Sequence, residues 1–374
     1  NVPGMDVCEL LPNHTNWMDK CAVVRTVNHK AGCHNPMPSL TGYPEPLPSI
    51  GVVQDNLPPS MGSVCEYMNQ ESDFPAYVHM PCMLGWGQHI RRAGPYAGFL
   101  GRQYDPLFTE CYPTSEKPSP DTYQPQIVHG EPKLPVAKLP KGVTLDRLKA
   151  RRRLTDQFDD ALRDLERGGE FERAQKGALA LLTSNEIREA FDLEKEKPSE
   201  SKRFGKHEFG QSLLLAARLI EAGVHFVTIR LRPAEFDFDT HTDNFSRLRK
   251  LLPPFDKGLA GLFDRLKERG LFESTAIMVA GEFGRTPQIN GQGGRDHWAR
   301  AMFALMAGGD IRGGQVIGET DVKAAEPKNE SVSPEDLAAS FFQNIGIDPK
   351  MEFQANVGRP ITLVRDGNPI GRLF

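Results

Sequence analysis

The sequence predicts an α/β fold with a mostly parallel central sheet, and three observations predict it. Short apolar runs at 224–231 (VHFVTIRL), 276–280 (AIMVA) and 302–307 (MFALMA) have the length and β-branched content of buried strands rather than helices. A charged amphipathic stretch over 244–269 lies between the first two, which reads as a right-handed β-α-β crossover. Each of those two runs stops in a cluster of ionisable residues, and open α/β sheets bind ligands beyond the carboxyl ends of their strands.

Length and charge narrow the classes. At 374 residues the chain suits one large sheet with insertions, read as a single domain over 1–374 with a Pro/Gly-rich loop insertion at about 82–142. With 45 basic against 49 acidic residues, the formal charge of -4 provides no surface for coating a polyanion, so nucleic acid is not expected as a partner. No apolar run approaches the roughly 18 residues of a membrane span. The six cysteines, Cys8, Cys21, Cys33, Cys65, Cys82 and Cys111, form no CxxC pair, which argues against a zinc ribbon and leaves any disulfide pairing open. Asn1 follows no initiator methionine and no signal-peptide pattern opens the chain, so it reads as processed or truncated.

The first strand is expected at 21–27 (CAVVRTV), after a short helix around Trp17. A polar path follows through His29, Cys33, His34 and Asn35, where both histidines read as solvated loop residues from the sequence alone. A helix is expected from Ser60 to Asn69 and a short buried strand at 76–80, and 113–140 reads as an extended covering segment. Helical periodicity at 145–165 carries an arginine run at 151–153. Asp156, Asp159 and Asp160 follow it, so this is a solvated charged face rather than a nucleic-acid contact. Further helices are expected at 174–182 and 212–222, the second ended by Gly223. The 244–269 helix should fall into two pieces, because Pro253 and Pro254 each remove a helical hydrogen bond. The glycines of 308–318 match neither the dinucleotide nor the P-loop pattern and read as turns. Ser333, Pro334 and Asp336 supply an N-cap, a first-turn proline and an acid at N3 for a helix running to Gly346. One or two strands are expected in 361–374.

Three clusters then follow the strands. Asp239 and His241 share a loop after 231; Glu282 and Arg285 follow 280; Arg295, Asp296 and His297 come next. Mixed carboxylate and imidazole donors suit Zn, Mn or Fe, whereas sets of oxygens alone suit Ca or Mg. A pair of such ions polarises an ester oxygen and acidifies a bound water, the apparatus for hydrolysing phosphate or sulfate esters. Arg285 and Arg295 fit either charge-assisted donors to a tetrahedral anion or buried salt bridges to Glu282 or Asp296.

Longer motifs carry a resemblance: HNPMPSLTG at 34–42, GFLGxxYDPL at 98–107, FGxSLLLAxRLxEAG at 209–223, DTHxxNF at 239–245, GEFGRTPxIN at 281–290, GRDHW at 294–298 and GGxIRGGQVxGxxD at 308–321. The chain resembles the bacterial family catalogued as domain of unknown function fifteen-oh-one, which looks like a sulfatase-like branch of the alkaline phosphatase superfamily. The resemblance covers nearly the whole chain, and GEFGRTP and GRDHW are its most specific motifs. It implies an alkaline-phosphatase-like three-layer α/β/α sandwich with metal ligands at the strand ends. It also implies a missing first strand, because relatives begin with a strand ending in a GGxSHxDxxDPK-like loop.

Clusters and resemblance together assign Asp239, His241, Glu282, Asp296 and His297 to divalent metal (Zn, Mn, Ca or Mg), His34 and Arg285 to catalysis, and Asn35 and Arg295 to substrate. Phe283 stands where the resemblance implies a second ligand beside Glu282. Cys33 stands near the expected nucleophile but lacks the Cys-x-Pro-x-Arg pattern. The implied activity is metal-dependent hydrolysis of sulfate or phosphate esters, on a small-molecule or polysaccharide substrate, by an exported protein. The alternative is a non-catalytic exported binding or surface protein that keeps the fold; a phosphomutase-like isomerase is more distant.

Overall fold

The computed structural model describes residues 1–32, 34, 36–44, 56–69, 75–80, 85–86, 90–91, 93–112, 131–134, 184–231, 238–354 and 360–374. The helices expected at 145–165 and 174–182, most of the 82–142 insertion, Cys33 and Asn35 lie outside these residues.

Strands Cys21–Val27, Ile277–Ala280, Met302–Ala307 and Gln315–Ile317 form one sheet, in the order 315–317, 21–27, 302–307, 277–280. Tyr77–Met80 is the centre of a second, all-parallel sheet, flanked by Leu107–Phe108 and Phe226–Ile229. The expectation of a mostly parallel sheet therefore holds for the smaller sheet, while the larger one is mixed. Met302–Ala307 runs antiparallel to both of its neighbours, because 281–301 returns the chain without a crossover helix. The β-α-β unit read from the sequence also spans two sheets: Phe226–Ile229 and Ile277–Ala280 are each the last described strand of their own.

Side chains alternate across the larger sheet, as strand geometry requires. Ala22, Val24, Ala304 and Met306 join one buried cluster with Val64 of helix Met61–Met68 and with Leu337, Phe341 and Phe342 of helix Pro334–Asn344. Cys21, Leu305 and Ala307 join another, with Leu213 and Leu214 of helix Glu208–Glu221 and Leu259 and Phe263 of helix Asn244–Glu268. Each buried leucine or phenylalanine of this kind contributes about 1.5–3 kcal/mol.

Local chemistry sets the helix ends. Ser60 Oγ accepts from the Ser63 N–H, and Ser333 and Asp336 close a capping box. Gly223, at φ +93, follows the helix Glu208–Glu221 as its stop. In contrast to the two pieces expected, Asn244–Glu268 is one continuous helix with Pro253 and Pro254 inside it. The carbonyls these prolines leave without an intrahelical donor belong to Arg249 and Lys250, both exposed residues, where water can serve as the donor. Asp256, fully buried on this helix, accepts from the backbone N–H groups of Asn13 and His14 at 2.9 Å each, tying the first residues to the core. The tail contributes one short strand, Pro360–Thr362, and a final 3-10 turn, Gly371–Leu373. No helix among the described residues is long and apolar enough to cross a membrane.

Candidate metal centre

The loops after three strands meet at one point. His34 lies beyond Cys21–Val27, Asp239 beyond Phe226–Ile229 and Glu282 beyond Ile277–Ala280. His297 is delivered by a short antiparallel pairing in which Arg285 faces His297 across strands Gly284–Arg285 and His297–Trp298.

Two residues hold the Asp239 and His297 loops together. Asn290 Nδ2 donates to the His241 carbonyl at 3.0 Å and to Asp296 Oδ1 at 3.2 Å, while its Oδ1 accepts from the N–H groups of Gln292 and Gly294. Gly294 passes so close to His241 that a Cβ there would lie 1.9 Å from the His241 carbonyl oxygen. That approach explains a glycine at this position better than any turn requirement does.

The imidazoles share one arrangement. The Nε2 atoms of His34, His297 and His241 lie 2.9, 3.1 and 3.1 Å from the Asp239 carboxylate. Each Nδ1 is held from behind: His34 by Glu282 Oε2 at 3.1 Å, His241 by Asp296 Oδ1 at 2.7 Å, His297 by the Gly32 carbonyl at 3.0 Å. Metal-binding histidines are oriented in this way, with the outer nitrogen on a carboxylate or carbonyl and the inner one free to ligate. The donor atoms of His34, Asp239 and His297 lie within 4.8 Å of one another, a spacing that one ion can bridge. Two imidazoles and a carboxylate suit Zn, Mn or Fe better than Ca or Mg.

The electrostatics follow from the contacts. Burial opposes ionisation of Asp239, but hydrogen bonds from His297, His34 and Arg285 hold its carboxyl far below the usual carboxylate range. Burial likewise opposes protonation of His34, yet the carboxylates of Asp239 and Glu282 push its imidazole up to about 9. The exposed carboxyl of Asp296 is lowered chiefly by its hydrogen bond with His241.

The sequence-predicted residues divide accordingly. Asp239, His297 and His34 form the triad whose donor atoms one ion could bridge, so His34 stands with the candidate ligands. His241 sits beside it, with Nε2 also 3.1 Å from His297 Nε2. Glu282 and Asp296 lie behind His34 and His241, orienting rings rather than converging on the centre. Arg285 is ion-paired, but with Asp239 instead of Glu282 or Asp296. The Arg295 guanidinium donates to the carbonyls of Thr286 and Pro287 at 2.6 Å each, bracing the loop. Phe283 packs on His297 with ring centroids 4.1 Å apart, forming an apolar wall where a further ligand was expected. Asn35 is not described.

Sequence reasoning missed two residues. His29 is buried rather than solvated: its Nε2 lies 2.8 Å from the Glu282 carbonyl, and burial lowers its pKa. Asn290 ends the GEFGRTPQIN motif, which was the one available signal of its role.

The model of the family described as "Protein of unknown function (DUF1501)" matches residues 1–374. The chain belongs to the DUF1501 family. No curated protein matches this DUF1501 chain. Among solved structures it is similar to the crystal structure of Ps i-CgsB, at 12% identity and a TM-score of 0.40, covering 90% of this chain and 67% of that one. Ps i-CgsB in complex with k-i-k-neocarrahexaose is similar at 12% identity and a TM-score of 0.37, with the same 90% and 67% coverage. At these scores neither likeness carries an argument about function.

Proposed function

We propose that this DUF1501 protein is a metal-dependent hydrolase of sulfate or phosphate esters, exported and acting on a small-molecule or polysaccharide ester. The alkaline-phosphatase-like three-layer α/β/α scaffold belongs to the same reading, supported by the helices that join buried clusters on both faces of the larger sheet. The observation that carries the function is the convergence of three imidazole Nε2 atoms on Asp239, each ring held from behind at Nδ1. A divalent ion held by His34, Asp239 and His297 would supply Lewis acidity toward an ester oxygen.

The chain's own residues do the rest. Glu282 and the Gly32 carbonyl fix the ring orientations of His34 and His297. Arg285 keeps Asp239 ionised, and Phe283 keeps water off one side of His297. His241, tethered to Asp296, is placed to accept or return a proton beside the centre.

Elemental analysis of the purified protein, with aryl sulfate and aryl phosphate turnover, tests the reading. We expect a stoichiometric ion and turnover of one ester class, both lost in an Asp239→Ala, His297→Ala double variant. Retention of both by that variant, or absence of both from the wild type, would refute it. One observation favours the non-catalytic alternative: Arg285 and Arg295 are both engaged within the protein, so neither is presented as an anion clamp. An ion bound without turnover of either ester supports that alternative.

A further inference from the structure

His29 is a histidine of a different kind from the three at the centre. Its backbone N–H donates to the Ala299 carbonyl at 2.9 Å, so the chain leaving strand Cys21–Val27 is pinned to the residue after strand His297–Trp298. The ring is buried and both its nitrogens are engaged within the protein. Nε2 lies 2.8 Å from the Glu282 carbonyl oxygen, and Nδ1 accepts from the Ala31 N–H at 3.0 Å. A carbonyl only accepts and a backbone N–H only donates, so Nε2 carries the proton and Nδ1 is bare. The ring is therefore neutral, in agreement with burial, which lowers its pKa.

Each of these two bonds leads to one histidine of the triad. The Glu282 carbonyl belongs to the planar peptide that joins Glu282 to Phe283. Glu282 Oε2 holds His34 Nδ1 at 3.1 Å, and the Phe283 ring centroid lies 5.2 Å from that of His34 and 4.1 Å from that of His297. The Ala31 N–H belongs to the turn that ends in Gly32. There the Gly32 N–H donates to the Lys30 carbonyl at 3.1 Å, and the Gly32 carbonyl accepts from His297 Nδ1 at 3.0 Å. The outer partners of His34 and His297 thus come from segments far apart in the chain, and one buried ring is bonded to both segments.

We propose that His29 is a positioning residue for both histidines of the triad, a role that rests on a metal being bound there. Through Nε2 it sets the Glu282 carboxylate against His34, and through Nδ1 it sets the Gly32 carbonyl against His297. The outer partners of metal-binding histidines are typically worth about 10–100-fold in affinity, and a single ring that fixes two of them couples the aim of His34 to that of His297.

Two substitutions separate the halves. A glutamine amide nitrogen reaches about as far as Nε2, and an asparagine carbonyl oxygen sits near Nδ1. His29→Gln therefore keeps the bond to the Glu282 carbonyl and loses the one to Ala31, and His29→Asn does the reverse. The readout is solvent exchange of the Nδ1–H protons of His34 and His297 in metal-free protein isotopically labelled at the histidine nitrogens. We expect His29→Gln to speed exchange at His297 about tenfold or more with His34 unchanged, and His29→Asn to do so at His34 alone. Both variants should bind zinc roughly 10–100-fold more weakly in competition with a chromophoric chelator.

Exchange like the wild type's at both rings, or equally faster exchange at both rings in both variants, as general loosening would give, overturns the proposal. If a variant does not fold, the long-range proton–nitrogen correlation spectrum of the wild type decides: the Nε2–H tautomer of His29 supports the proposal and the Nδ1–H tautomer overturns it. A wild type that binds no zinc refutes the metal reading, and the exchange pattern still decides whether His29 sets the two partners.

Discussion

Replacing Asp239 with Asn removes one charge from the centre while keeping its shape, and the response is read most directly at His34. In the metal-free protein the His34 imidazole stands at about 9 against an ordinary 6.5, with its side chain 28% exposed. A gap of that size corresponds to roughly 3 kcal/mol of preference for the charged ring, and Asp239 and Glu282 share it. Asp239→Asn should therefore bring His34 down from about 9 toward its ordinary value, followed by imidazole resonances in an NMR titration.

The same shift governs stability. Because the folded-state pKa lies above the unfolded one, the stabilisation is fully present below about pH 6.5 and is lost as pH rises through about 9. Urea unfolding of the metal-free wild type should therefore show a decline of roughly 1–3 kcal/mol between pH 6 and pH 9.5, and a smaller decline in Asp239→Asn. A His34 that stays near 9 in the variant, or wild-type stability that rises over that window, would refute the electrostatic reading.

Other consequences are as direct. Asn290→Ala removes four hydrogen bonds from the loop that carries Asp296 and His297, and should lower urea-measured stability by about 1–3 kcal/mol and weaken metal binding roughly 10–100-fold by calorimetric titration. Gly294→Ala forces its Cβ against the His241 carbonyl and should weaken metal binding in that titration, whereas Gly291→Ala, with nothing within 4 Å, should not. Asp256→Ala leaves the buried His14 and the Asn13 amide without their acceptor, and a loss of about 3–5 kcal/mol is expected in urea unfolding.

Much of the scaffold was legible because its signals are local. The β-rich run CAVVRTV is a strand over Cys21–Val27, and Ser333 with Asp336 forms the expected capping box. The continuity of Asn244–Glu268 was not legible, since whether a proline breaks a helix depends on which carbonyls it orphans and whether water reaches them. The division into two sheets was hidden for a related reason: strand sequences record burial, not neighbours.

At the centre, Asp239 and His297 were readable from their positions after strands. That Glu282 and Asp296 meet the Nδ1 atoms of His34 and His241 was not legible, because a sequence pairs carboxylates with imidazoles without saying which ring nitrogen each one meets. His29 was misread because its partner, the Glu282 carbonyl, is 253 residues away.

X-ray absorption spectroscopy of the zinc-loaded protein, with stoichiometry by elemental analysis, tests the central claim most directly. We expect one ion per chain bound by at least two imidazoles and one carboxylate, and no bound ion in the Asp239→Ala, His297→Ala variant. A wild type that binds no ion, or a variant whose ion and spectrum are unchanged, would contradict it.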